Sequence, residues 1–152
     1  MGEINGKNID ISKFLPHRSP MLMVSHVLEI DETSVVTAFQ IPDDCLFLSS
    51  HSLSEAGLIE NAAQTCSGVV GQSYFDKDDS EGESNKLVGY ISAIKKIEIF
   101  RLPKVSEIIE THAKLVSRLD TGSVTVCSIE SETFIGKELI VSCTLNFLIH
   151  EV

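Results

Sequence analysis

The sequence predicts an α+β fold in which a curved antiparallel sheet wraps one long central helix. Three observations predict it: period-two apolar runs on both sides of the chain, one alanine-rich stretch between them without that alternation, and turn signals separating the later runs. A sheet that hides one face against an apolar helix completes a core that neither element has alone. With 152 residues, the chain has the size of one domain, expected to span 1–152 with an N-terminal tail at 1–8.

The first strand is expected over Leu22 to Ile30, where Leu22, Val24, His26, Leu28 and Ile30 alternate with Met23, Ser25, Val27 and Glu29. After a turn at Asp31 to Ser34, the residues Val35, Thr37, Phe39 and Ile41 mark a second strand, and the two read as a hairpin. From about Ser52 to Phe75 the apolar positions Ala56, Leu58, Ile59, Ala62, Ala63, Cys66, Val69 and Val70 predict a helix buried on most sides. Ser52 or Ser54 is placed to cap it and Glu55 falls in its first turn, whereas Gly68 and Gly71 weaken its far end. Asp76 to Lys86, DKDDSEGESNK, reads as an acidic loop.

The second half reads as a meander. Lys86 to Phe100 is one extended run. Thr111, Ala113 and Leu115 then face one way, and Glu110, His112 and Lys114 the other. Asp120-Thr121-Gly122 is a turn signal, followed by Val124, Val126 and Ser128. After a turn at Ile135-Gly136-Lys137, the residues Leu139, Val141, Cys143, Leu145, Phe147 and Ile149 share one face of a last strand. On such strands His26, His112 and His150 are expected to face outward.

Composition excludes several function classes. The net charge of −10 leaves no basic stripe for nucleic acid. No apolar run reaches the roughly 20 residues of a membrane span, and Met1 to Asp10 lacks the pattern of a secretory signal. Cys45, Cys66, Cys127 and Cys143 form no CxxC and have no histidines at zinc spacing. Cys66, Cys127 and Cys143 read as small core residues of a protein in a reducing, cytoplasmic compartment. No nucleophile elbow, phosphate loop, dinucleotide fingerprint or metal-ligand set is present, so neither metal nor cofactor is expected.

Two motifs carry a family resemblance. Leu15 to Val27, LPHRSPMLMVSHV, resembles the opening of beta-hydroxyacyl-acyl-carrier-protein dehydratases, with Ser25-His26 where that family has Asp-Arg. Gly57 to Gln64, GLIENAAQ, resembles the family's central-helix motif, in which Glu is followed by Ala-Met-Ala-Gln; Glu60 and Gln64 match. Leu87 to Val105 resembles the strand that brings a glycine and then basic residues beside the active site, here Gly89, Lys95, Lys96 and Arg101, and Gly136-Lys137 resembles the last hairpin. Ser49 to Gly57, SSHSLSEAG, departs from the family's Gly-His-Phe-Pro and is shorter, as in the dehydratase-like proteins of aryl-polyene and flexirubin pathways. The family's fold is the hotdog fold, which is the arrangement predicted above.

The resemblance implies dehydration of 3-hydroxyacyl thioesters on acyl carrier protein to trans-2-enoyl thioesters, in fatty-acid or polyene biosynthesis. That reaction removes a proton from C2 and a hydroxyl from C3, so it needs a base and an acid. Glu60, among Leu58, Ile59, Ala62 and Ala63, fits the acid, because burial favours the protonated carboxyl. His51, just before the helix, is the candidate base, and His17 of the LPHR motif is its rival. Gln64 lies one turn beyond Glu60, placed to orient that carboxyl or the substrate. Gly57 and Gly89 are assigned to substrate binding. Lys95, Lys96, Arg101 and Lys104 are assigned to docking the acidic carrier, although a solvated strand edge is the plainer reading of such a cluster. The site is expected between two protomers, in a homodimer or in a heterodimer with another hotdog subunit. Two other functions remain open: a non-catalytic subunit paired with an active dehydratase, and a hotdog acyl thioesterase.

Overall fold

The computed structural model describes residues 9–71 and 87–151. The expected tail at 1–8, the acidic loop at 76–86 and the end of the expected helix at 72–75 lie outside the described residues. A short helix α1 (Ile11–Phe14) precedes a hairpin of β1 (His26–Ile30) and β2 (Ser34–Gln40). A two-stranded ribbon follows, β3 (Leu48–Ser49) and β4 (Ser52–Leu53), and then the long helix α2 (Glu55–Gly71). Four long strands complete the chain: β5 (Leu87–Ile99), β6 (Ile108–Asp120), β7 (Val124–Ile135) and β8 (Glu138–Glu151).

The main sheet is antiparallel with strand order β1-β2-β6-β7-β8-β5. The expected alternation holds on β6 and, from Val141 on, in β8. On β7 the buried positions are instead Thr125, Cys127 and Ile129 rather than Val124 and Val126, on β1 Val27 is buried in place of Leu28, and at the start of β8 Ile140 is buried in place of Leu139. In β6, Ile109, Thr111 and Ala113 are buried while His112 and Lys114 are exposed, and in β8 Val141, Cys143, Leu145, Phe147 and Ile149 are buried in turn. His26 and His112 face solvent, as expected. The buried face packs on α2, with Phe39, Ile109, Ile129 and Leu145 meeting Leu58, Cys66 and Val69 in one core. The three cysteines read as core residues, Cys66, Cys127 and Cys143, are buried free thiols.

Two segments differ from the sequence expectation. The alternation of Leu22 to Ile30 suggested strand throughout, but pairing with β2 starts only around Ser25, whose N–H reaches Ala38 O at 2.8 Å. Upstream, Met23 gives its N–H to the Gln64 side chain at 2.7 Å, and its carbonyl takes a hydrogen bond from Asn61 at 2.7 Å. With the main chain of Met23 satisfied by helix side chains and the Leu22 N–H by Arg18 O, these residues have no need of a strand neighbour. The second is the ribbon. It turns through Ser50 (φ 50°) and His51 (φ 63°), two left-handed residues in succession, as a tight two-residue hairpin requires. Asn-Gly is the usual signal for that turn, and Ser-His does not carry it.

Gly68 sits where α1 meets α2. A Cβ there would overlap the Phe14 ring at Cζ and Cε1 and lie 3.3 Å from Cε2. Asp10 caps α1 by accepting from Ser12 N at 2.9 Å.

Candidate active site

Ser54, not Ser52, caps α2. Its hydroxyl accepts from Gly57 N at 3.3 Å and its carbonyl from Leu58 N at 3.0 Å, while Ser52 lies in β4. Glu60 stands in the second turn, half-buried, with Gln64 one turn further on the same face and almost fully buried. Gln64 Nε2 donates to Glu60 Oε1 at 2.9 Å and to Met21 O at 2.8 Å, while Gln64 Oε1 accepts from Met23 N at 2.7 Å. A main-chain N–H can only donate, so the Met23 N–H fixes which end of the amide is oxygen. Both amide hydrogens are then committed, one of them to Glu60. The carboxyl is thereby held at Oε1 by a donor, and Oε2 is the oxygen that does not share this bond.

The LPHR segment is tied to this pair through Met21. The Arg18 guanidinium donates to Leu15 O at 2.8 Å, His17 O at 2.9 Å and Ser12 O at 3.2 Å, folding the segment on itself. Arg18 O in turn accepts from Met21 N at 2.9 Å, and Met21 O meets Gln64. The two sequence motifs thus converge on one hydrogen-bonded unit. His17 is half-buried, and its Nδ1 has no hydrogen-bond partner among the described residues.

His51 is exposed at the tip of the β3–β4 turn. Its main chain is anchored, since Val105 N donates to His51 O at 2.9 Å and Leu53 N to Pro103 O at 2.8 Å. No hydrogen bond among the described residues joins the ring of His51 or of His17 to Glu60. Gly57 is buried, and a Cβ there would overlap Leu53 Cδ1 and lie 2.8 Å from Phe47 Cβ, so close packing of the ribbon on α2 demands this glycine. Gly89 is exposed on β5, where a Cβ would make only ordinary contact with Ile149 at 3.6 Å.

The four basic candidates divide. Lys95 and Lys96 are exposed on β5, with Lys96 3.3 Å from Glu98. Arg101 is committed to carboxylates, at 2.6 Å to Glu138 and 3.2 Å to Glu107, and these bonds raise its pKa further. Lys104 is exposed, its N–H donating to Glu107 Oε1 at 2.9 Å. That bond first, and the Arg101 guanidinium after it, hold the Glu107 carboxyl below its ordinary value. No group of three or more His, Cys, Asp or Glu among the described residues is arranged to hold a metal. No helix among them is long and apolar enough to cross a membrane.

Sequence reasoning missed Asn61, which is fully buried beside Glu60. The available signal was a polar residue inside an apolar helix, opposite strands that carry threonine at inward positions, as at Thr37 and Thr111.

A family model described as ApeP-like, ApeP dehydratase, matches residues 9–149. The 3-hydroxyacyl-[acyl-carrier-protein] dehydratase FabZ of Streptococcus mutans is 30% identical over 148 residues, which cover 93% of this chain and 98% of that protein. FabZ of Streptococcus sanguinis is 29% identical over 143 residues, 91% of this chain and 94% of that protein. Among solved structures, the dehydratase heterocomplex ApeI:P from Xenorhabdus doucetiae is similar with a TM-score of 0.75 at 17% identity, covering 96% of this chain and 93% of that one. A hypothetical thioesterase protein with coenzyme A from Streptococcus pneumoniae is similar at a TM-score of 0.63 and 10% identity, covering 83% and 85%. These structural likenesses show the hotdog fold.

Proposed function

The chain belongs to the ApeP-like dehydratase family, and on that premise we propose that it dehydrates 3-hydroxyacyl thioesters carried on acyl carrier protein, with Glu60 as the acid. The observation that carries this reading is the anchored carboxyl: Glu60 is half-buried on α2 and held at one oxygen by Gln64. Elimination takes the C2 proton onto a base and sends the C3 hydroxyl out as water with a proton from the acid, leaving the trans-2-enoyl thioester. Of the main-chain N–H groups that open α2, those of Gly57 and Leu58 are taken by Ser54, so Glu55 and Ala56 are the ones assigned to stabilise an enolate-like thioester oxygen.

His51 is the candidate base. Its ring is exposed on a ribbon whose main chain is fixed to Pro103 and Val105, so a second subunit is free to meet it. That subunit pairs along β5 in this reading. Among the described residues β5 is hydrogen-bonded to β8 on one side only, and Tyr90, Ile91 and Ile94 are exposed on it. The partner is a second copy or a different hotdog subunit. Lys95, Lys96 and Lys104 are the docking residues for the acidic carrier, with Arg101 as their carboxylate-bound neighbour. A carrier-bound substrate places the reaction in the cytoplasm.

The separation of His51 from hydrogen-bonding reach of Glu60 favours one second reading, a subunit whose site is completed only by a different partner. The test is to incubate the chain, alone and with a hotdog partner, with a 3-hydroxyacyl-carrier thioester and to follow the conjugated enoyl product by absorbance, beside Glu60→Gln. Product from the chain alone supports a homo-oligomeric enzyme, and product only with a different partner supports the second reading. Free thiol in place of enoyl product supports a thioesterase. If Glu60→Gln matches wild type, the assigned acid is wrong.

A further inference from the structure

Asn61, next to Glu60 in sequence, is completely buried, and so are Thr37, Thr65, Thr111 and Thr133 around it. Its Nδ2 lies 2.7 Å from Met23 O, and its Oδ1 2.7 Å from Thr111 Oγ1. A carbonyl can only accept, so the Met23 carbonyl fixes the nitrogen end of the Asn61 amide and turns Oδ1 toward Thr111. Thr111 must then spend its one hydroxyl hydrogen on Asn61, and Thr133, at 2.9 Å, must donate to Thr111. The hydrogens run in one direction, from Thr133 through Thr111 to Asn61 and on to Met23 O. A separate branch ends on the helix main chain: Thr65 donates to Asn61 O at 2.9 Å, so Thr37, at 2.8 Å, donates to Thr65.

The two polar groups of Met23 are therefore held by two side chains of one helix turn, the carbonyl by Asn61 and the N–H by Gln64. The same Gln64 amide carries the bond to Glu60. An apolar residue at position 61 would fill this space without needing partners, whereas a buried amide needs every one of these bonds. The network therefore fixes a geometry that packing alone leaves open.

We propose that Asn61 is a positioning residue for Glu60: by holding the Met23 carbonyl it places the Met23 N–H that orients Gln64, and through Gln64 it leaves Oε2 of Glu60 toward the substrate. The inference rests on the reading of Glu60 as the acid.

The test uses the active assembly and five variants. Thr111→Val removes the donor to Asn61 Oδ1 at nearly constant shape, Thr111→Ser restores it, and Asn61→Leu removes the amide. Thr37→Val removes a buried hydroxyl of the other branch, and Glu60→Gln tests the acid itself. Thr111→Val and Asn61→Leu are expected to lower kcat tenfold or more with KM within twofold. Thr111→Ser should return kcat to within threefold of wild type, and Thr37→Val should leave kcat within twofold even where it lowers Tm. The Gln64 side-chain amide cross-peaks in a nitrogen–proton correlation spectrum give a readout that needs no turnover. They should move in Thr111→Val and stay in place in Thr37→Val. The proposal is overturned if folded Thr111→Val keeps wild-type kcat, if Thr37→Val loses as much, or if the Gln64 peaks respond equally to both. Should Asn61→Leu fail to fold, the Thr111 pair decides. Wild-type activity in Glu60→Gln would overturn the acid reading instead, a result that leaves the Gln64 spectrum to judge the network on its own.

Discussion

Gln64 Nε2 lies 2.9 Å from Glu60 Oε1 while the other end of the same amide takes the Met23 N–H at 2.7 Å. One side chain thus links the candidate acid to the segment that follows the LPHR motif. Gln64→Leu breaks both bonds and leaves a buried main-chain N–H without an acceptor, at a cost of about 1–3 kcal/mol. For a chain of this size that lowers Tm by roughly 2–4 °C per kcal/mol. Enoyl formation should fall more steeply in Glu60→Gln, by about 10²–10⁴-fold in kcat, the range general acid–base catalysis supplies. Thermal melting and steady-state kinetics separate the two effects. Gln64→Leu with unchanged Tm would show that the Met23 bond contributes nothing to stability.

The exposed side of β5 yields a prediction about assembly. Ile94 is exposed in mid-strand, next to a register shift between Ile94 and Lys96, on the strand that among the described residues bonds to β8 alone. An edge of this length with apolar side chains needs a cover. Ile94→Glu puts a charge into that cover and is expected to halve the mass measured by light scattering and to abolish dehydration. A variant that keeps the wild-type mass would place the subunit contact elsewhere.

The parts of the fold legible in the sequence were those fixed by periodicity. Val141 to Ile149 alternates because one face of β8 packs on α2, and the pattern holds in the fold from Val141 on; at the start of the strand, opposite a register shift in β7, Ile140 is buried and Leu139 only half-buried. What escaped was set by contacts between distant segments. Leu22 to Ser25 alternates like a strand, but Asn61 and Gln64, about forty residues on, satisfy the main chain of Met23 within it. His51 lies in a turn that local propensity does not announce, held by Val105 across the ribbon. Glu60 and Gln64 could be paired from their i, i+4 spacing. Asn61 could not be placed, because its partners Thr111 and Met23 are neighbours only in the folded chain.

The four thiols should react in a graded order. Burial pushes the Cys66 and Cys143 thiols up, and the Cys127 thiol with them, so none of the three presents a thiolate near neutral pH. Cys45 is only half-buried, its Sγ 3.8 Å from Met23 Sδ. An aromatic disulfide reagent is expected to titrate one thiol in the native protein and four after denaturation. Rapid reaction of a second native thiol would mean that the core opens on the time scale of labelling.

Acid should weaken the bracing of the ribbon that carries His51. The Glu107 carboxyl is held below its ordinary value of 4.5 by the Lys104 N–H and then by Arg101. A carboxylate with a depressed folded pKa contributes stability that is present above its unfolded value and lost as pH falls through the folded one. The loss therefore begins near pH 4.5 and continues below it. Glu107 braces the segment in which Lys104 bridges Ser52 and Val105 N holds His51 O, so its protonation acts where the candidate base is mounted. Glu107→Gln keeps an acceptor for the Lys104 N–H but carries no charge to lose. The Tm difference between wild type and this variant should be positive at neutral pH, smaller in high salt because the pair is partly exposed, and should shrink toward zero below pH 4.5. A difference that stays constant down to pH 3 would mean that the carboxylate charge at Glu107 does not brace the ribbon.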